Sequence, residues 1–301
     1  MTKLLLTLFV LFFSQHALAQ TTESVIEATI DNKNAETFNQ ESKPFNILPG
    51  GVLHIQIPKF EHSEYWVKHG QTRAILITKE NFDNVFVGVD VETISGEYLI
   101  SIETNNKQLA TYKYVVPKPK NPIFVDDYDT FSKAAPLSEK TTLVDSLLWS
   151  NVPPTLPLDY PVKGIWTEKF NHLFEKNNKN SVNNTPSDSS KIDLIDHISI
   201  TLDAPTTITS PSDATCFSIT FDPVEGYTVI LDHGMGLFSE ISGLNNLTIS
   251  EQDRVSSGSV IASFNTNDFI RKDKTQSNRT VRWRTILNKS TINPYELTIL
   301  R

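Results

Sequence analysis

The segment Tyr227–Phe264, YTVILDHGMGLFSEISGLNNLTISEQDRVSSGSVIASF, consists of short apolar runs separated by turn-forming residues. Three apolar pairs recur along it: Val229/Leu231, Leu244/Leu247 and Val260/Ile261. The turn-forming stretch DHGMG lies between the first and second pairs, and SEQDRVSSG lies between the second and third. Short apolar runs bounded by glycine, serine and aspartate favour β-strands joined by tight turns. The segment therefore predicts a β-rich unit in the C-terminal half of the chain.

Four motifs of this half resemble the lysostaphin-type, or LytM-like, zinc endopeptidases of bacterial cell walls. DHGMGL at 232–237 and DRVSSGSVI at 253–261 are similar to the family's DHGxGL and GDxVxxGQxI. HISITLDAP at 197–205 is similar to its H-x-x-x-D strand, and TVRWRTILNKSTINP at 280–294 to its H-x-H strand. The resemblance extends over residues 161–300. It implies an all-β, LytM-like barrel-sandwich (the duplicated hybrid motif) with a groove across its face.

The same resemblance shows what has been replaced at the family's zinc site. It places His197 on the first metal-ligand histidine and Thr201 on the metal-ligand aspartate. Thr280 and Arg282 stand on the two histidines of H-x-H, with Arg282 at the third ligand position. Gly243 stands on the histidine of the family's Tyr-x-His-Leu. One ligand of three remains, and both helper histidines are absent from their positions.

These replacements predict a groove without a metal and without catalytic residues. A catalytic zinc needs about three protein N or O ligands and one open position, and it lowers the pKa of a bound water so that hydroxide can attack. The permanent charge of Arg282 repels a dication. We therefore expect no cofactor. We expect a binding groove lined by His197, Thr201, Gly243, Thr280 and Arg282, in which Gly243 widens the site and Arg282 offers its donors to a carboxylate.

A rearranged zinc site remains an alternative. Asp203 shares the strand face of His197 and Thr201 by period-two alternation, and Asp196 precedes His197. His233 belongs to the DHG turn, where the family has a structural histidine. Under this alternative the protein is an active zinc-dependent peptidoglycan endopeptidase.

Residues 44–116 have an all-β pattern of their own. VLHIQIPKF, RAILITK, VFVGVDV, EYLISIET and LATYKYVV alternate apolar and polar residues, with PGG, KHGQ and ISGE as turns between them. Five short strands at this spacing predict a small immunoglobulin-like sandwich. A β-domain of this kind often precedes a LytM-like domain, so the resemblance supports the assignment.

The N-terminus predicts export. Residues 1–19 contain Lys3, an apolar run of about ten residues and an Ala17-Leu18-Ala19 cleavage site, which are the parts of a secretory signal peptide. The run is too short to span a bilayer comfortably, and no cysteine follows it, so no lipobox is present. We expect a periplasmic or secreted protein with no transmembrane segment in the mature chain.

Composition divides the rest of the chain. Residues 20–43 are polar and predict a flexible leader, and residues 117–157 carry PKPKNP and PPTLP and predict a Pro-rich linker. Residues 158–301 are the LytM-like domain, with an Asn/Ser/Lys-rich mobile insertion at 171–192.

Charge and cysteine content exclude some functions. The net charge of −8 disfavours nucleic acid as a partner, because phosphate binding needs clustered basic residues. The single cysteine, Cys216, cannot form an internal disulfide, and we expect it to be a buried, inert thiol. Trp283 and Tyr295 are expected in the core rather than in a sugar platform.

We therefore expect a non-catalytic LytM-like protein of the cell envelope. Its groove binds peptidoglycan, or a peptidoglycan hydrolase that the protein recruits or activates. A structural envelope spacer is a further alternative, and it predicts that changes at Gly243 and Arg282 have no effect on binding.

Overall fold

The structure, a computed structural model, describes residues 45–60, 64–105, 107–117, 150–168, 170, 196–265 and 280–300. The predicted signal peptide, leader and insertion, and residues 118–149 of the predicted linker, lie outside the described residues. Within these ranges the chain forms eighteen β-strands and one short helix. The protein is therefore mostly β, as the sequence predicts.

The first unit consists of two sheets. Its strands are β1 (Phe45–Asn46), β2 (Val52–Pro58), β3 (Trp66–His69), β4 (Thr72–Arg73), β5 (Ile75–Thr78), β6 (Phe82–Gly88), β7 (Gly96–Glu103) and β8 (Gln108–Val116). One sheet has the order β1-β8-β7-β3-β4 and the other the order β2-β6-β5. Every neighbouring pair is antiparallel except β1 and β8. An immunoglobulin-like connectivity remains a prediction.

The core of this unit follows the alternation that predicted its strands. Leu53, Ile55 and Ile57 of β2 are buried, while the residues between them are partly exposed. They pack in one cluster with Ile100 and Ile102 of β7. The apolar side chains of the two sheets therefore meet between them.

The second unit is built on one large antiparallel sheet. Its strands are β9 (Ile165–Glu168), β10 (Ile198–Thr201), β11 (Thr206–Thr209), β12 (Ala214–Asp222), β13 (Gly226–Gly234), β14 (Leu237–Leu244), β15 (Arg254–Val255), β16 (Val260–Phe264), β17 (Thr280–Leu287) and β18 (Ser290–Ile292), followed by helix α1 (Pro294–Thr298). The large sheet has the order β15-β12-β13-β14-β17-β10-β9, with β18 paired to β17. Strands β11 and β16 form a separate two-stranded sheet.

One face of the large sheet is apolar and covers the core. Val229, Leu231, Ile241 and Trp283 are all fully buried there. Trp283 is thus a core residue, as predicted, whereas Tyr295 is 38% exposed on α1, so its predicted core position is wrong. The opposite face of the same strands carries polar side chains beside a small apolar cluster formed by Phe217, Ile230, Phe238 and Ile286.

The two units contact each other directly. Val91 N donates to Thr291 O at 3.0 Å, and Thr291 N donates to Asp90 Oδ2 at 2.7 Å. Gly88 lies so close to β17 and β18 that an added Cβ would stand 2.9 Å from Leu287 O. Burial raises the pKa of Asp90, and the nearby charge of Asp196 adds to this. The loop after β6 therefore lies against the second unit.

The end of the predicted linker also packs on the second unit. Met235 N donates to Ser150 O at 2.9 Å, and Ser212 Oγ donates to Thr155 O at 2.6 Å. Pro154 is buried. These contacts hold residues 150–157 against the unit that follows them, where the sequence suggested an extended connection.

In the described part of the chain, no helix is long and apolar enough to cross a membrane. Cys216 is fully buried in β12, as predicted, and burial raises its pKa to about 11. The thiol is therefore protonated at neutral pH, which makes it a poor nucleophile.

Candidate functional site

A polar groove of about 320 Å³ lies on the large sheet, on the face opposite the core. It crosses strands β12, β13, β14 and β17 and includes the two residues that precede β10. Its walls contain acidic, basic and hydroxyl side chains around one apolar residue, Ile230. The lining residues are Asp196, His197, Thr220, Glu225, Thr228, Ile230, Glu240, Ser242, Arg282 and Arg284.

The alternation of β17 explains how the groove forms over a packed core. Val281 and Trp283 are fully buried in the core. Arg282 and Arg284 project to the other face, since successive side chains of a strand point to opposite sides. The motif RWR therefore delivers two guanidinium groups to the groove and one indole to the core.

Four of the five predicted groove residues lie on this face. Strand β10 pairs with β17 so that Thr201 is opposite Thr280, and Ser199 is opposite Arg282. The hydroxyl oxygens of Thr201 and Thr280 are 3.2 Å apart and hydrogen-bonded. His197 and Arg282 line the groove itself, whereas the threonine pair lies next to it on the same strands.

Gly243 has a different role from the one predicted. Its φ is +77°, and a Cβ placed there would lie 2.2 Å from Thr280 O. The missing side chain would point at the neighbouring backbone, so the glycine does not widen the groove. It permits a positive φ and a close approach of β14 to β17. Ser242 is the β14 side chain that faces Arg282.

Arg284 holds the inner part of the groove together. It donates to Asp196 Oδ2 at 2.8 Å and to Glu240 Oε1 at 2.6 Å, and it is only 17% exposed. Asp196 also accepts from His197 Nδ1 at 2.9 Å. Burial raises the pKa of Asp196, but the bond from His197 and the charge of Arg284 outweigh it, so the pKa is lowered. Burial lowers the pKa of Arg284, and the charges of Glu240 and Asp196 more than reverse this.

Arg282 has a more open environment. Its Nη1 donates to Glu225 Oε1 at 3.0 Å, and the two side chains are 43% and 54% exposed. Glu225 comes from the turn between β12 and β13, which stands beside the groove. The groove thus contains a closed ion-pair network around Arg284 and an accessible ion pair at Arg282.

Solved structures similar to this chain support the predicted fold. A protein of Pseudomonas aeruginosa assigned to peptidase family M23 matches with a TM-score of 0.57 and 16% identity, over 83% of this chain and 94% of that one. The chain has the M23 peptidase fold. This is the fold that the sequence resemblance predicted.

Other similar structures align less closely with this chain. The complex of SpoIIIAH and SpoIIQ matches with 18% identity over 47% of this chain and 97% of that one, with a TM-score of 0.33. The catalytic domain of lysostaphin from Staphylococcus simulans matches with 11% identity over 34% and 77%, with a TM-score of 0.28. No protein-family model and no curated protein matches the sequence.

The M23 fold implies a zinc site, and the donor set here does not fit one. Thr201 and Thr280 bond to each other, and the carboxylates of Asp196 and Glu240 are bound by Arg284. Among the described residues, no three His, Cys, Asp or Glu side chains come together as a group that could hold a metal. Two guanidinium groups at this place disfavour a dication further.

The residues considered as replacement ligands lie elsewhere. Asp203 is exposed beyond the end of β10 and does not line the groove. His233 is buried, with Nδ1 at 3.0 Å from Asp213 O and Nε2 at 2.8 Å from Ser239 Oγ. Its role is structural, as the turn motif indicated.

Sequence reasoning missed Arg284, Glu240 and Glu225. Arg284 had a readable signal, because a charged residue two positions after Arg282 must share its face in a strand. Glu240 and Glu225 had none, since their proximity to the arginines follows from the β13–β14–β17 register and from the reach of a turn.

Proposed function

We propose that this chain is a non-catalytic M23-fold protein of the cell envelope. Its groove binds peptidoglycan, or binds a peptidoglycan hydrolase that the protein recruits or activates. The predicted signal peptide supports a periplasmic or secreted location.

The observation that carries this proposal is the ion-pair network of Arg284 with Asp196 and Glu240. A charge that is largely removed from water needs partners, and Asp196 and Glu240, two carboxylates that could otherwise serve as metal ligands, pair with Arg284 instead. The groove is therefore built around arginine side chains and the carboxylates that pair with them. It keeps a cavity and an accessible arginine, which suit binding rather than metal-assisted hydrolysis.

One observation favours the alternative of an active zinc endopeptidase. His197 donates through Nδ1 to the Asp196 carboxylate, which is the usual way of orienting a metal-ligating histidine. However, a carboxylate–histidine pair alone supplies one ligand of the three that a catalytic zinc needs. Binding is the better supported function.

The test is cosedimentation with purified peptidoglycan, together with a hydrolysis assay in which envelope hydrolases act on labelled peptidoglycan. Arg282→Gln is expected to weaken binding or stimulation, because it removes the accessible charge of the groove. Arg254→Gln is the matched control, since Arg254 is exposed on β15 at the far edge of the same sheet. If both variants behave like the natural protein in both assays, the groove does not bind, and the spacer function replaces this proposal.

A further inference from the structure

We propose that Arg282 and the hydroxyl groups beside it bind the free carboxylate of a short peptide, and that Glu225 occupies this site when no ligand is present. This rests on the proposed function, because it names the chemistry of the ligand that the groove takes. It adds an internal competitor that regulates access.

A row of hydroxyl side chains crosses the sheet at the level of Arg282. Ser242 is directly opposite Arg282 on β14, and Thr228 lies beside Ser242 where the β13–β14 register shifts. Thr220 is opposite Thr228 on β12. All three line the groove and are partly exposed. A guanidinium next to several hydroxyl donors suits a carboxylate, which accepts at two oxygens.

Arg282 is the groove arginine that is able to exchange its partner. Arg284 is largely buried and bonded to two carboxylates, so a ligand would have to replace both. Within the described part of the chain, Arg282 forms one ion pair, through Nη1, and its partner is a half-exposed glutamate. Exposed ion pairs contribute little free energy, so an incoming carboxylate displaces Glu225 at little cost.

The turn that carries Glu225 is held in place independently of Arg282. The Asp222 side chain accepts from Val224 N at 2.7 Å and from Glu225 N at 2.9 Å. The Glu225 side chain is thus able to leave Arg282 while its backbone stays fixed. Its release requires a change of rotamer and no rearrangement of the hairpin.

The size of the cavity and the charge of the protein limit the ligand. About 320 Å³ is near the lower end of small-molecule sites and suits one or two amino acid residues. The net charge of −8 opposes a polyanion, but it has less effect on a ligand with one negative charge. A peptide C-terminus meets both limits.

The test is calorimetric titration of the natural protein and its variants with N-acetyl-alanyl-alanine at low salt. The same peptide with an amidated C-terminus is the matched ligand control, because it differs only in the carboxylate. We expect the acid to bind and the amide not to bind. Arg282→Gln should abolish binding of the acid.

The variant that tests the internal ligand is Glu225→Gln, which should tighten binding of the acid about two- to fivefold, the range expected for loss of one exposed ion pair. Glu97→Gln is its control, since Glu97 forms an exposed pair with Lys113 in the first unit and is expected to leave binding unchanged. Added salt should reduce the gain from Glu225→Gln.

Equal binding of acid and amide, or no gain in Glu225→Gln over Glu97→Gln, would overturn this inference. If no variant binds the acid but peptidoglycan still cosediments with the protein, the carboxylate site is wrong and the proposed function stands. If the acid binds while neither peptidoglycan binding nor hydrolase stimulation is found, the carboxylate site stands and the proposed function fails.

Discussion

His233 should make the stability of the fold depend on pH between about 6.5 and 4. The side chain is 4% exposed, and burial lowers its pKa from the ordinary value of 6.5 to about 4. Trp283 Nε1 donates to Ser239 Oγ at 3.3 Å, and Ser239 Oγ lies 2.8 Å from His233 Nε2. A neutral imidazole satisfies this chain by donating from Nδ1 to Asp213 O and accepting at Nε2. A second ring proton, on Nε2, would take away the acceptor of the Ser239 hydroxyl proton.

The sign and size of the effect follow from the two pKa values. Between pH 6.5 and about 4 the unfolded chain binds a proton at this histidine and the folded chain does not. The free energy of unfolding therefore falls as the pH is lowered through this window, and the loss is complete below about pH 4. At about 1.4 kcal/mol per pH unit, the difference between 6.5 and about 4 corresponds to about 3 kcal/mol.

Urea unfolding at a series of pH values, with His233→Asn as the comparison, measures this loss. Asparagine keeps a donor near Nδ1 but does not titrate, so the variant should be less stable at pH 7 and lack the His233 contribution at lower pH. His69→Asn is the control. Burial also lowers the pKa of His69, but this ring is only partly buried. The His69→Asn variant should therefore keep most of the pH dependence of the natural protein. Parallel curves for the natural protein and His233→Asn from pH 7 to 4.5 would refute the reasoning.

Three further changes test other parts of the structure by urea unfolding. Arg284→Met should cost about 2–4 kcal/mol, because it leaves two partly buried carboxylates without their counterion; a loss below about 1 kcal/mol would show that the network is unimportant. Gly243→Ala should cost about 3 kcal/mol or more, because the methyl group would meet the Thr280 carbonyl at positive φ. Gly70→Ala, at φ +58° in open space, should cost only about 1–2 kcal/mol, and equal losses would contradict the packing argument. Asp90→Ala should cost about 1–3 kcal/mol by removing an acceptor between the two units, and an unchanged stability would mean that this contact contributes nothing.

The strands could be predicted from sequence because they depend on local patterns. The apolar alternation of 52–58 and 227–244 and the glycine turns between runs marked most strand positions. The resemblance of four motifs placed Thr201 and Thr280 in one groove, and the two residues lie opposite each other on β10 and β17.

The contents of the groove were only partly predictable, because charge pairing depends on register and reach. Arg282 was assigned from its motif, but its partner Glu225 is 57 residues away. Gly243 illustrates the same limit: its replacement of a family histidine was visible in sequence. The reason for the glycine, a contact with the backbone of the next strand, was not.

The contact between the units also had no sequence signal. Gly88, Asp90 and Val91 form an ordinary strand end and loop in the sequence of the first unit. Their role appears only when β17 and β18 of the second unit lie against them. Docking of this kind depends on the shapes of two folded surfaces, which periodicity does not report.

Zinc content separates a binding groove from a peptidase site. The protein lacking only its predicted signal peptide is dialysed against trace zinc, and metal per chain is determined by elemental analysis alongside His197→Ala. The proposed function predicts a folded, β-rich protein with far less than one zinc per chain and no difference between the two proteins. One zinc per chain that is lost in His197→Ala would contradict it and would make peptidoglycan cross-links the substrate to test.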